Sequence, residues 1–116
     1  MKITNKDCTK FYSDKQEKWV AQKFCGIQVP ASGGGRFRKG DVLHKPTMLF
    51  ECKTTTSPKE SFSIKKEWIE KNKQEAFSQR VDNSCVVFNF EPDGENYYVI
   101  DTKLMKFLLE KLDENA

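Results

Sequence analysis

The chain has little that would point to a membrane, a metal cluster or a second domain. Its apolar runs are far too short to span a bilayer, and its first residues, Met1-Lys2-Ile3-Thr4-Asn5-Lys6-Asp7, hold no hydrophobic signal core. The expectation is a cytoplasmic protein with no membrane partner. Cys8, Cys25, Cys52 and Cys85 form no Cys-x-x-Cys pair, so neither a zinc cluster nor a disulfide framework is indicated, and they read as small, mostly buried thiols. His44 is the only histidine and stands on the strand parity opposite to Asp41, which suits a structural or surface residue better than a catalytic base. There is no internal repeat and no low-complexity tract. With 116 residues, the span 1–116 reads as a single domain, and any larger binding surface needs a second subunit.

A strong charge imbalance is also missing. Charged residues make up 32% of the chain but the net charge is only +3, which is weak evidence for a polyanionic partner. The distribution says more. Between Ser32 and Pro46 lie Arg36, Arg38, Lys39 and Lys45 against one acid, Asp41. The loop from Pro30 to Gly40 carries the run Gly33-Gly34-Gly35, able to bring backbone N–H groups and positive charge against phosphate. It lacks the Lys-Ser/Thr ending of a Walker loop and the Gly-x-Gly-x-x-Gly pattern, so no nucleotide cofactor is expected.

Patterning predicts an α/β protein, a central mixed β-sheet flanked by helices. A first helix spans about Asp7 to Phe24, with Trp19, Val20, Ala21 and Phe24 at helical spacing and Gly26 ending it. Glu17 falls on the same stripe. Either a cation, a metal or a hydrogen-bond donor meets it there, or the helix is rotated and Glu17 pairs with a lysine at its edge. A short strand over Gly26–Val29 precedes the loop. A hairpin follows, one strand opening with Asp41, a turn at Pro46-Thr47, and a second strand running Met48-Leu49-Phe50 into Glu51-Cys52-Lys53. Ser61–Ile64 is expected as a short strand, with Ser63 capping a helix that reaches about Val81 and sets Trp68, Ile69, Ala76 and Phe77 inward. Ser84–Phe90 and Tyr97–Ile100 form a second hairpin around Pro92–Asn96. Asp101 or Thr102 caps a last helix striped by Leu104, Phe107, Leu108 and Leu112, a pattern more often core than interface. Trp19 and Trp68 are read as core.

Chemistry concentrates in the first hairpin. Glu51 and Lys53, two apart on a strand, share a face, and Cys52 takes the other. Two carboxylates and an ammonium brought together suit a divalent metal, with the lysine placed to act on a metal-bound water or a phosphate.

The element order, with Gly40-Asp41 and Glu51-Cys52-Lys53, resembles the PD-(D/E)xK nuclease superfamily, in which a sheet edge presents an aspartate followed by Glu-x-Lys. Nine residues separate Asp41 from Glu51. With Glu17 in the first helix, Val29-Pro30-Ala31-Ser32-Gly33 ahead of the aspartate and Phe62-Ser63-Ile64-Lys65 after the Glu-x-Lys, the chain looks like the archaeal-type Holliday junction resolvases and their phage-encoded relatives. The resemblance implies a restriction-endonuclease-like core and a metal-dependent, structure-selective endodeoxyribonuclease that cuts four-way DNA junctions as a homodimer with Mg²⁺, for which Mn²⁺ substitutes. It implies Asp41 and Glu51 as metal ligands, helped by the backbone carbonyl of Cys52, and Glu17 as a further acid of the metal site. Lys53 would act on the attacking water and the scissile phosphate, and Ser32 would contact that phosphate. Arg36, Arg38, Lys39 and Lys65 are carried as DNA contacts. Gly40 departs from the family's usual proline, and the glycine run with its following cations is unusually rich. Two other readings compete: a nuclease of the same fold acting on nicked, flapped or duplex DNA, and a DNA-binding module without catalysis.

Overall fold

Apolar residues at successive positions, Leu49-Phe50 in one central strand and Val86-Val87 in the next, build a sheet covered on both faces, five strands in the order β1-β2-β3-β4-β5. The computed structural model describes residues 5–29 and 41–115, with side chains from Thr9 onward. The elements are α1 (Asn5–Lys23), β1 (Ile27–Gln28), β2 (Asp41–His44), β3 (Met48–Cys52), α2 (Lys66–Ser78), β4 (Asn83–Phe88), β5 (Tyr97–Val99) and α3 (Thr102–Glu114). β1, β2 and β3 form an antiparallel meander. β3 and β4 are parallel, with α2 as the crossover between them, and β5 returns antiparallel to β4. This is an α/β fold around a mixed sheet, as the patterning predicts.

The pleat sorts the core into two layers. Val42, Phe50, Cys52, Cys85 and Val87 pack with Val20 of α1 on one face. Leu49 packs with Ala76 and Val81, at and beyond the end of α2, on the other. Val42 pairs with Phe50 and Phe50 with Cys85, while Leu43 pairs with Leu49 one residue along, so the two layers alternate along each strand. Asn72 of α2 is buried at 1% exposure, and its Nδ2 donates to the carbonyls of Leu49 (3.3 Å) and Cys85 (3.1 Å). A polar side chain thus pins the crossover helix onto the parallel pair of strands.

Several local expectations are corrected. The left-handed residue that closes α1 is Cys25, at φ 55°, not Gly26. Gly26 is needed for a close approach instead, since a Cβ there would lie 2.8 Å from Val42 Cγ1. Residues 61–64 form no strand, and α2 starts after Lys65 with no side-chain cap. Trp19 and Phe77 are not core, because each lies beside the buried stripe of its helix, next to Val20 and Ala76 respectively, and is left exposed. Asp101 caps α3 as expected, its Oδ1 accepting from Leu104 N at 2.9 Å. The stripe of α3 is another matter, since only Leu104 is buried. Among the described residues no helix is long and apolar enough to cross a membrane.

Candidate active site

Antiparallel register sets Asp41 directly opposite Glu51 on neighbouring strands. Cross-strand partners share a face, so the two carboxylates emerge on the side covered by α2. Both are deeply buried, Asp41 at 0% and Glu51 at 4% exposure. Two residues on, Lys53 returns to that face. Its backbone N–H donates to Val87 O at 2.8 Å, which carries the line of β3 past its last strand residue. Lys53 Nζ lies 3.4 Å from Glu51 Oε1. The same ammonium sits 4.6 Å from the ring centroid of Trp68 in the first turns of α2, so it is held between a carboxylate and an indole face. Lys65 Nζ stands 5.7 Å from that indole and adds a second cation. Phe62 continues the surface, packed against Trp68 and stacked on Phe88.

Glu17 reaches this end of the sheet from the other face, on α1. It is buried at 4% exposure, and Gln28 Nε2 of β1 donates to its Oε1 at 3.2 Å and to Asp14 Oδ1 at 2.8 Å. Of the two readings of Glu17, the inward one with a hydrogen-bond donor is what the structure shows. The hydrogen bond from Lys18 and then that from Gln28 hold the Asp14 carboxyl below its ordinary pKa. Cys52 lies within the field of all three acids. Burial first, and then the charges of Glu17, Asp41 and Glu51, push its thiol well above the ordinary value. Cys52 is the last residue of β3, and its side chain belongs to the core on the α1 side, so its thiol faces away from Glu51.

A chain of amides braces the strand end. Gln16 Nε2 donates to Lys53 O at 2.7 Å and to Asn96 Oδ1 at 3.2 Å. Asn89 links Asn96 to Thr54, whose Oγ1 donates to Asn89 Oδ1 at 2.7 Å. Beside it opens a cleft of about 310 Å³, walled by Tyr12, Trp19, Gln16 and Asn96 among others.

Thus the structure brings together Asp41, Glu51, Lys53 and Lys65, and sets Glu17 behind them. Ser32, Arg36, Arg38 and Lys39 lie outside the described residues. Among the described residues no three His, Cys, Asp or Glu side chains are gathered as a metal-binding group. The oxygen donors at hand are the two facing carboxylates, a set that suits an ion keeping several of its waters. Sequence reasoning missed Gln16, which lies four residues before Val20 on the same stripe that drew attention to Glu17. It also misread Trp68, whose position in the first turns of α2, just after Lys65, puts it beside Lys53.

Compared with protein-family models, curated proteins and solved structures, the chain matches none of them.

Proposed function

We propose that this protein is a metal-dependent endodeoxyribonuclease with a restriction-endonuclease-like core, cutting branched DNA and acting on four-way junctions as a Holliday junction resolvase. One observation carries the reading: Asp41 and Glu51 are buried opposite each other on adjacent strands, with Lys53 drawn to Glu51. Burying two like charges side by side is costly for a fold, and a bound cation offsets that cost. Their hard oxygen donors fit Mg²⁺, or Mn²⁺ in its place, which takes one or two protein carboxylates and water. The carbonyl of Cys52 lies next along the chain from Glu51 as a further donor.

When bound, such an ion supplies Lewis acidity at the phosphoryl oxygen and an activated water. The chain's own residues do the rest. Lys53 offers a positive charge where the phosphate gains negative charge, and Trp68 with Glu51 keeps the ammonium from swinging away. Lys65 adds a cation for the DNA backbone close by. Glu17, anchored by Gln28, contributes negative potential from behind and serves as an acid beyond the inner ligands. Ser32 is assigned to the scissile phosphate, and Arg36, Arg38 and Lys39 to the flanking DNA.

The test is to incubate the protein with a synthetic four-way junction and with a linear duplex of the same sequence, in Mg²⁺ and in EDTA, beside Glu51→Gln. Paired nicks in the junction alone, lost in EDTA and in the variant, are the expected result. Cleavage of both substrates would move the function to a broader nuclease. Tight binding without any cleavage would leave a binding module.

A further inference from the structure

The last helix presents an apolar surface that the rest of the described chain does not cover. α3 is held to the body at its start, where Leu104 is buried and Lys73 Nζ pairs with the capping Asp101 at 2.9 Å. From Met105 to Asn115 every residue is exposed. Met105, Leu108, Leu109 and Leu112 fall on one side of the helix, with exposures of 48%, 42%, 52% and 67%. Phe107, 52% exposed, lies toward the back of the helix, outside this stripe, with Lys111 Nζ 5.5 Å from its ring centroid. At the start of the helix a groove of about 210 Å³ opens between α2 and α3, walled by the 87% exposed Phe77 and by Val81 and Leu104. A contiguous apolar surface of this kind marks an interaction site.

Charge indicates which partner fits. Lys106 and Asp113 are seven residues apart, so they lie two turns apart along one edge of the stripe, with Leu109 between them. An antiparallel copy related by a two-fold axis near Leu109 and Glu110 sets Lys106 of each helix beside Asp113 of the other. The stripe is therefore complementary to itself in an antiparallel pair, in which a two-fold axis across the helices brings the same edge of both copies together.

We propose that α3 pairs antiparallel with α3 of a second copy of this chain. β5 ends at Val99, level with Glu51 two strands away, and the chain then runs on so that α3 starts beside Asp82 and Asn83, at the opposite end of β4. The pairing stands on the helix alone, and it supplies a two-fold surface for the nuclease reading above.

Sedimentation equilibrium of the full chain tests it. The expected result is a dimer that Leu109→Glu with Leu112→Glu converts to monomer, with the circular dichroism of the fold retained since both positions are exposed. Lys106→Glu alone and Asp113→Lys alone are each expected to weaken the dimer roughly tenfold, as two attractive contacts become repulsive. Lys106→Glu combined with Asp113→Lys in one chain restores it. A monomer at all concentrations, or a dimer indifferent to the leucine changes, overturns the proposal. Charge variants without effect overturn the antiparallel arrangement. A dimer that cuts no DNA would leave this pairing standing and remove the nuclease reading, and cutting by a monomer would do the reverse.

Discussion

The two ends of the sheet are built on opposite principles. At the end formed by the start of β2 and the close of β3, carboxylates that would prefer water are buried, and cations lie over aromatic faces. At the other end, where β5 leads into α3, large apolar side chains that would prefer burial are left in water. Each end is unfavourable for an isolated chain, and each becomes favourable with a different occupant: a cation and a polyanion at the first, apolar surface at the second. A fold's departures from its own stability rules are where its functions are to be sought.

The sharpest way to break that contrast is Asp41→Asn. Removing one of two buried facing charges is expected to lower cleavage of a junction by about a thousandfold, near 4 kcal/mol of activation free energy, while the melting temperature holds or rises. Single-turnover cleavage and a thermal melt of the same sample check both halves. A variant that loses stability along with activity would make the carboxylate structural.

Leu49→Ala, in the middle of β3 between the two ends, should spare the chemistry and cost about 3 kcal/mol, because it opens a cavity beneath α2. Urea unfolding measures it, and a loss under about 1 kcal/mol would mean that this layer collapses around the gap.

Trp68→Leu keeps an apolar body but removes the π face under Lys53. A loss of about tenfold in the cleavage rate is expected, with little change in junction affinity. Unchanged rates would reduce the indole to a packing residue.

The smallest effect belongs to the far end. Asp101→Ala removes the cap of α3 and should cost about 1 kcal/mol. The Leu104 N–H first, and the Lys73 hydrogen bond second, hold the Asp101 carboxyl below its ordinary value of 3.8. Its folded-state pKa is thus depressed, so the contribution is complete above that ordinary value and fades as the pH falls below it. The difference in melting temperature between wild type and Asp101→Ala should accordingly shrink on acidification through that range.

Much of the fold was legible in advance, for a physical reason. Short apolar runs such as Met48-Leu49-Phe50 and Val86-Val87-Phe88, and helical recurrence in α1 and α2, are local patterns that mark strands and helices before any partner is known. The pairing of Glu51 with Lys53 on one face follows from the pleat of a strand. Trp19 and Phe77 were misread because a bulky apolar residue beside a buried stripe looks the same, in sequence, as one within it. Asn72 was passed over for the converse reason, since an amide in a helix is ordinarily solvated and only the carbonyls of Leu49 and Cys85 make it a core residue.

By itself, then, the sequence determined the three helices and, the strand expected at Ser61–Ile64 apart, the strands, and that Glu51 and Lys53 share a face, because these depend on spacing along a single element. The tertiary structure alone decided that Asp41 and Glu51 are both buried, that Trp68 lies under Lys53, and that Gln28 meets Glu17. It also decided that α3 leaves the body with its apolar side uncovered. Each of these depends on the register and rotation of one element against another, which the summed packing of the whole core sets and no single segment encodes.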